Sequence, residues 1–288
     1  MGRMGWRGVA LATFAAVAMV LAGGARWTMA QEPIEIFDAH LHYNWEPKPY
    51  YALPDVLALF KQQRVTGIIA TSRPNDGTHA LVGAKVEGLT VVPFLRPYRV
   101  RADISTWMND PKIFDLIQEE FKRGYYRGIG EFHLSGRAAA SDWVKKTVDF
   151  AVANNLYLHA HADEEAVEIL FGHNAKAQII WAHTGFSLAS ERVEALLKKH
   201  PKLWGELSYR GGITDGSGKL SASWRRLFET YPDRFVIGSD TWINERWASY
   251  GSIMAEYRAW LAQLPPPIAA KIAHGNLRAL FSSPGVTR

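Results

Sequence analysis

Residues 34–42 read Ile34-Glu35-Ile36-Phe37-Asp38-Ala39-His40-Leu41-His42. The β-branched and aromatic residues favour a strand, along which side chains two apart share a face. Ile36, Asp38, His40 and His42 fall on one face, and Phe37, Ala39 and Leu41 on the other. The second face is wholly apolar and suits packing against helices. This reading turns His40 and His42 inward, near the C-terminal end of the strand.

Outward from that stretch, strand and helix patterns alternate. Further strands are expected over 65–71, 89–95, 126–133, 156–162, 177–183, 203–209 and 234–240. Helical patterns follow at 55–64, 76–87, 110–124, 141–155, 163–172, 190–200 and 221–231, and two more segments end the chain. Asp110-Pro111 supplies an N-cap and a first-turn proline, and Gly124 a stop. Eight strands, each followed by a helix, predict parallel βαβ units closed into a (β/α)8 TIM barrel. An open doubly wound sheet is the second choice, and no GxGxxG turn follows the first strand to support it.

The chain has 288 residues, no Cys, and 33 Lys and Arg against 28 Asp and Glu. Absence of Cys excludes disulfides, thiolate metal sites and a cysteine nucleophile. Arg3 and Arg7 precede an apolar run from Val9 to Leu21, and Thr28-Met29-Ala30 offers a small-residue cleavage site. Residues 1–30 thus read as a signal peptide, ahead of one domain over 31–288, and predict a secreted or periplasmic protein. The run is short of the ~20 residues that span a bilayer, so no membrane span is expected after cleavage. The leader holds three Arg and no acid. The remainder carries 30 basic and 28 acidic residues, a net +2, with no basic face to suggest nucleic acid.

The same alternation places Ile129, Glu131 and His133 on one face of the fourth strand and Tyr157, His159 and His161 on one face of the fifth. It groups Ile179, Trp181 and His183 on the sixth, and Val236, Gly238 and Asp240 on the eighth. The ionisable members all lie near C-terminal strand ends, where barrel active sites occur. Burying several imidazoles and carboxylates together is unfavourable without compensation, and a divalent cation compensates them jointly. His and carboxylate ligands without thiols suit zinc. His161 is the preferred ligand of the fifth strand. His159 sits one layer deeper, as a core residue or a substrate contact, and His133 reads as a substrate contact. His274 reads as helix packing.

At this point the sequence resembles the amidohydrolase superfamily, in its amidohydrolase-related (amidohydrolase 2) branch. The likeness lies in Asp38-Ala39-His40-Leu41-His42, Ala182-His183-Thr184-Gly185, Gly238-Ser239-Asp240-Thr241 and the ending His274-Gly275-Asn276-Leu277-Arg278-Ala279-Leu280-Phe281. The resemblance implies a distorted TIM barrel with one or two divalent ions. His40, His42 and Asp240 would hold the more buried ion. His161 and His183 would hold a second, or grip and polarise substrate around a single one. Glu131 stands where many relatives carry a carboxylated lysine. It could bridge two ions, and the reading leans to a binuclear site.

The expected activity is metal-dependent hydrolysis of an ester, lactone, amide or phosphoester of a small anionic substrate. Water made acidic by the ion attacks, Asp240 takes its proton, and His183 stabilises the oxyanion. A non-oxidative decarboxylase on the same site is the alternative, and a non-catalytic exported binding protein a further one. Specificity falls to the loops beyond the strands. Arg96, before Pro97, is the first choice for a substrate carboxylate or phosphate. Arg210 and Trp242 are further candidates, with Lys48 and Arg246 near them. The same mouth residues could instead form a contact between copies in a homo-oligomer.

Overall fold

Strand and helix alternate as the patterning requires, and the sheet they build closes on itself. The structure, a computed structural model, describes residues 1–2, 32–45 and 48–281. The expected leader lies outside the described residues apart from its first two. The chain divides into a unit over Met1–Glu32 and one over Pro33–Arg288, and the barrel belongs to the second. Among the described residues no helix is long and apolar enough to cross a membrane.

The strands are β1 (Ile36–His42), β2 (Val65–Thr71), β3 (Thr90–Leu95), β4 (Gly128–Leu134), β5 (Tyr157–Ala162), β6 (Gln178–Ala182), β7 (Leu203–Glu206) and β8 (Phe235–Val236). The helices between them are α1 (Leu53–Gln62), α2 (Asp76–Gly83), α3 (Pro111–Phe121), α4 (Asp142–Ala153), α5 (Glu164–His173), α6 (Ser190–Lys199) and α7 (Ala222–Thr230). Beyond β8 come α8 (Asn244–Ala248), α9 (Tyr250–Leu261), α10 (Pro266–Ala270) and α11 (Asn276–Phe281). Every strand pairs in parallel with its successor, in the order β1 to β8. Just past β8 the backbone reaches β1. Ala39 N donates to Ile237 O at 2.8 Å, and Asp240 N donates to His40 O at 2.6 Å. Caps match the sequence: the Asp110 carboxylate accepts from Lys112 N at 2.9 Å ahead of Pro111 in α3.

The interior below the mouth is filled by Phe37, Ala39, Ile69, Val92, Phe94, Tyr157, Ile180 and Val236, with Leu277 and Phe281 of α11 packed among them. Ile36, Leu41, Ile129, Phe132, Ile179 and Trp181 join the helix-facing layer. This corrects three expected faces. Phe37 and Ala39 point inward, because an extra residue in β1 reverses the alternation above them. Asp38 pairs with Ile68 and Leu41 with Ala70, so three steps on β1 match two on β2. A second bulge in β4 separates Ile129 from Glu131, since Gly130 pairs with His159 and Phe132 with Ala160. In β6, Ile179 and Trp181 face the helices, Ile180 faces the interior, and His183 lies beyond the strand.

Gly238 shows how tight the closure is. A Cβ there would lie 2.4 Å from His40 Cβ and 2.7 Å from His40 N. We expect Gly238→Ala to lower unfolding free energy by ~1–3 kcal/mol through overpacking. Gly83→Ala, whose added Cβ meets nothing within 4 Å, should raise it by about 0.5–1 kcal/mol. Urea unfolding of both variants checks the contrast.

Candidate metal centre

The bulge in β1 sets His40 and His42 above the interior plug, and Asp38 holds the bulge in place. Asp38 Oδ1 accepts from His40 N at 3.1 Å and Ser239 N at 2.8 Å, and Oδ2 accepts from the Tyr250 hydroxyl at 2.9 Å. The β4 bulge turns Glu131 inward. His183 (φ 59°) and Asp240 (φ 48°) reach the mouth from left-handed backbone just beyond their strands, a conformation disfavoured for residues with a side chain. Asp240 is held there by its backbone bond to His40 O.

These residues meet. His40 Nε2 and His42 Nε2 lie 3.0 Å apart. Asp240 Oδ1 is 3.1 Å from His42 Nε2 and 3.5 Å from His40 Nε2. Glu131 Oε2 lies 3.2 Å from His42 Nε2, and Oε1 lies 3.0 Å from His161 Nδ1 and 3.5 Å from both His40 Nε2 and His183 Nε2. His183 Nε2 is 3.2 Å from His161 Nδ1. His40 and His42 have no solvent exposure.

A further layer fixes which ring nitrogens face the centre. His40 Nδ1 lies 3.0 Å from Glu206 Oε2, so an Nδ1 hydrogen goes to the carboxylate and Nε2 is the nitrogen turned to the centre. His183 Nδ1 lies 2.9 Å from Ser208 O, with the same consequence. His42 Nδ1 lies 2.7 Å from Thr71 Oγ1. Glu206 is itself satisfied by Ser208 N at 2.6 Å, Ser208 Oγ at 2.8 Å and His183 N at 3.2 Å.

The electrostatics follow from burial against charge. Burial alone would push His40 down, but Asp240, Glu131 and Glu206 around it raise it well above the ordinary imidazole value. Burial would push Asp240 up, yet the His40 charge and the His42 hydrogen bond hold it well below the usual carboxylate range. Glu131 is likewise held low by the surrounding imidazoles against its burial. Burial pushes His133 down to about 3, so that ring is neutral.

The donor set fits a divalent cation. Two ligands of a tetrahedral zinc ion, each ~2.0–2.1 Å from it, stand about 3.3 Å apart. The separations of 3.0, 3.1 and 3.5 Å among His40, His42 and Asp240 bracket that value. The facing Nε2 atoms of His40 and His42 share a proton in the metal-free protein, and a cation would take its place. Groupings able to hold an ion among the described residues are His40, His42 and Glu131; His40, His183 and Asp240; Glu131, His133 and His161; and, deeper in the barrel, His40, His159 and Glu206.

A cavity of about 370 Å³ opens above this set. Its walls include Arg73, Arg96 and Arg101 together with Phe186, Tyr209 and Trp242, and Glu131, His133, His161, His183 and Asp240 also face it. His133 stacks on His161 at 4.2 Å and bonds Tyr98 through Nδ1 at 3.0 Å. Trp242 is 43% exposed and donates Nε1–H to the Tyr209 hydroxyl at 3.2 Å.

Two expected substrate contacts lie elsewhere. Arg210 donates to the carbonyls of Phe186, Leu188 and Gly211 and stacks on Trp224 at 4.6 Å. It fastens the loop beyond β6, because those carbonyls use its donors. His159 is wholly buried beneath His40, ring centroids 4.4 Å apart, away from the cavity wall. Neither of its ring nitrogens has a hydrogen-bond partner among the described residues. Arg246 likewise turns from the cavity and donates to Ser239 O.

Sequence reasoning missed Glu206, Ser208 and Thr71. Glu206 ends β7 in the register of the other strand-end acids, a signal hidden by extending that strand to 209. Glu206→Gln leaves an amide where a carboxylate orients His40. We expect cation affinity to fall by roughly 10–100-fold with the fold intact, measured by competition with a chromophoric chelator.

Comparison with known proteins places this geometry. Residues 96–282 match the amidohydrolase family, Amidohydro_2. The fold is similar to an amidohydrolase from Burkholderia multivorans whose structure has bound zinc, at 16% identity and TM-score 0.58, over 87% of this chain and 100% of that one. It is similar to a Pseudomonas putida protein provisionally named 2-pyrone-4,6-dicarboxylic acid hydrolase, at 15% identity and TM-score 0.60, over 88% of this chain and 99% of that one. It is also similar to amidohydrolase 2 from Bifidobacterium longum subsp. infantis, at 13% identity and TM-score 0.52, over 86% and 99% of the two chains. A search of curated proteins returns no match. With the family match spanning more than half of the sequence, the chain belongs to the amidohydrolase family.

Proposed function

We propose that this protein is a divalent-cation-dependent hydrolase acting on the carbonyl of a small anionic ester, lactone or amide. The observation that carries the reading is the convergence of His40, His42, Glu131, His161, His183 and Asp240, the last four of them facing a cavity with arginines in its wall. The same chemistry extends to a phosphoester. The bound zinc of the Burkholderia multivorans neighbour supports zinc as the ion, and the cyclic ester in the name of the Pseudomonas putida neighbour supports the substrate class. The basic start and apolar run of the leader support a secreted or periplasmic enzyme.

His40, His42 and Asp240 would hold the cation, with Glu131, His161 and His183 at its margin. A divalent ion there supplies Lewis acidity and lowers the pKa of a water to about 7. Asp240, kept ionised by its neighbours, accepts a proton from the attacking water and returns it to the leaving group. His183 Nε2 faces the cavity, and in its protonated form donates a hydrogen bond to the developing oxyanion. Arg73 and Arg101 meet the substrate anion, and Phe186 and Trp242 cover an apolar or planar portion.

Asp240→Asn should reduce turnover by ~10²–10⁴-fold on whichever ester, lactone or amide the wild type hydrolyses. Chelator should abolish wild-type turnover, and added zinc should restore it. Full turnover by a metal-retaining Asp240→Asn protein contradicts the role of Asp240. CO₂ release from a carboxylated substrate without hydrolysis would replace the reading with the decarboxylase.

The raised His40 value predicts a pH effect of definite sign. At pH 7 the metal-free protein holds a proton on His40, whereas a ligating Nε2 must be bare. Cation uptake therefore expels that proton, and affinity weakens as pH falls. Calorimetry in buffers of different ionisation enthalpy should register release of about one proton or more per chain.

A further inference from the structure

Arg96 follows β3 on the cavity wall, but its guanidinium is committed to the metal centre. Nη2 donates to Glu131 Oε2 at 3.2 Å. Nη1 lies 2.8 Å from His42 Nδ1 and donates to Asn44 Oδ1 at 3.3 Å. The residue is 2% exposed and its guanidinium carbon lies 5.2 Å from the Tyr98 ring centroid. Asn75 grips its backbone from both sides, accepting from Arg96 N at 2.9 Å and donating to Arg96 O at 3.1 Å. A guanidinium stays protonated in proteins, so this is a fixed unit of positive charge inside the donor set.

Its placement bears on how many cations the set takes. A carboxylate bridging two ions turns one oxygen to each. Glu131 Oε1 faces His161 and His183, whereas Oε2 faces His42 and already accepts from Arg96. The charges point the same way. Glu131, Asp240 and Glu206 bring three negative charges to the imidazoles, and Arg96 returns one positive. One divalent ion balances the set. A second would leave two uncompensated positive charges where burial makes them costly.

We propose that Arg96 takes the electrostatic place of a second cation, so that each chain holds one divalent ion although its ligand inventory would serve two. This rests on the metal-dependent reading and departs from the binuclear expectation raised by Glu131. A cation on His42 Nε2 puts the ring proton on Nδ1, where Thr71 Oγ1 accepts it, so the Arg96 Nη1 donor now 2.8 Å from Nδ1 turns to Asn44 Oδ1.

The test counts ions. Purified wild type, Arg96→Lys and Arg96→Gln are saturated with zinc, freed of loose metal and analysed for zinc per chain by mass spectrometry. Titration then gives the affinity for each ion. Wild type and Arg96→Lys, which retain the charge, should hold one ion. Arg96→Gln keeps an amide able to donate to Glu131 and should take a second, at least tenfold tighter than any second ion on wild type. Two tight ions on wild type would overturn the proposal and leave the hydrolase reading standing. This holds even if Arg96→Gln fails to fold. A folded Arg96→Gln protein with one ion would overturn it as well, marking Arg96 as a purely structural partner of Glu131. No zinc on wild type would overturn the metal-dependent reading, and the proposal with it.

Discussion

His40 stands among three carboxylates at the base of the cavity, with no contact with solvent, and the rest of the site is arranged around that placement. Its Nδ1 is tied to Glu206, and its Nε2 faces His42, Asp240 and Glu131. A buried charge or lone pair must find a partner or become prohibitively unfavourable. The protein meets this demand by closing the barrel tightly over His40: Gly238 leaves room for its Cβ, and Asp240 N is bonded to its carbonyl. The fold and the chemistry thus share one constraint, since the contact that seals β1 to the end of the sheet also delivers Asp240 to the centre.

Below that level the barrel is an ordinary apolar core, closed by α11 through Leu277 and Phe281. Above it the mouth is divided. Arg73, Arg96 and Arg101 line one part, and Phe186, Tyr209 and Trp242 another. Their roles differ within the division. Arg96 faces down into the centre and binds Glu131, while Phe186 and Trp242 are exposed and meet whatever enters. A charged wall beside an aromatic wall suits a ligand with an anionic end and a flat or apolar body.

Much of this was legible in the residues. Alternation of β-rich and helical runs identifies a parallel barrel, because each strand needs helices to cover it. The strand-end positions of His40, His42, Glu131, His161, His183 and Asp240 mark the mouth. Bulges were not legible: one inserted residue in β1 and one in β4 leave no compositional trace, yet they reverse the faces of Phe37, Ala39 and Ile129. Nor were the left-handed backbones of His183 and Asp240, a conformation that remains uncommon even for these residue types and is fixed here by tertiary bonds. Arg210 stands apart from the cavity wall for another reason. Its charge suggested a ligand, but nearby loop carbonyls satisfy it first.

The most direct measurement is a crystal structure of the zinc-soaked protein with anomalous data collected across the zinc absorption edge. The account predicts an anomalous peak ~2.0–2.2 Å from His40 Nε2, His42 Nε2 and an Asp240 carboxylate oxygen. Imidazoles bonded only to Glu131 and Asp240, with no peak among them, would contradict it.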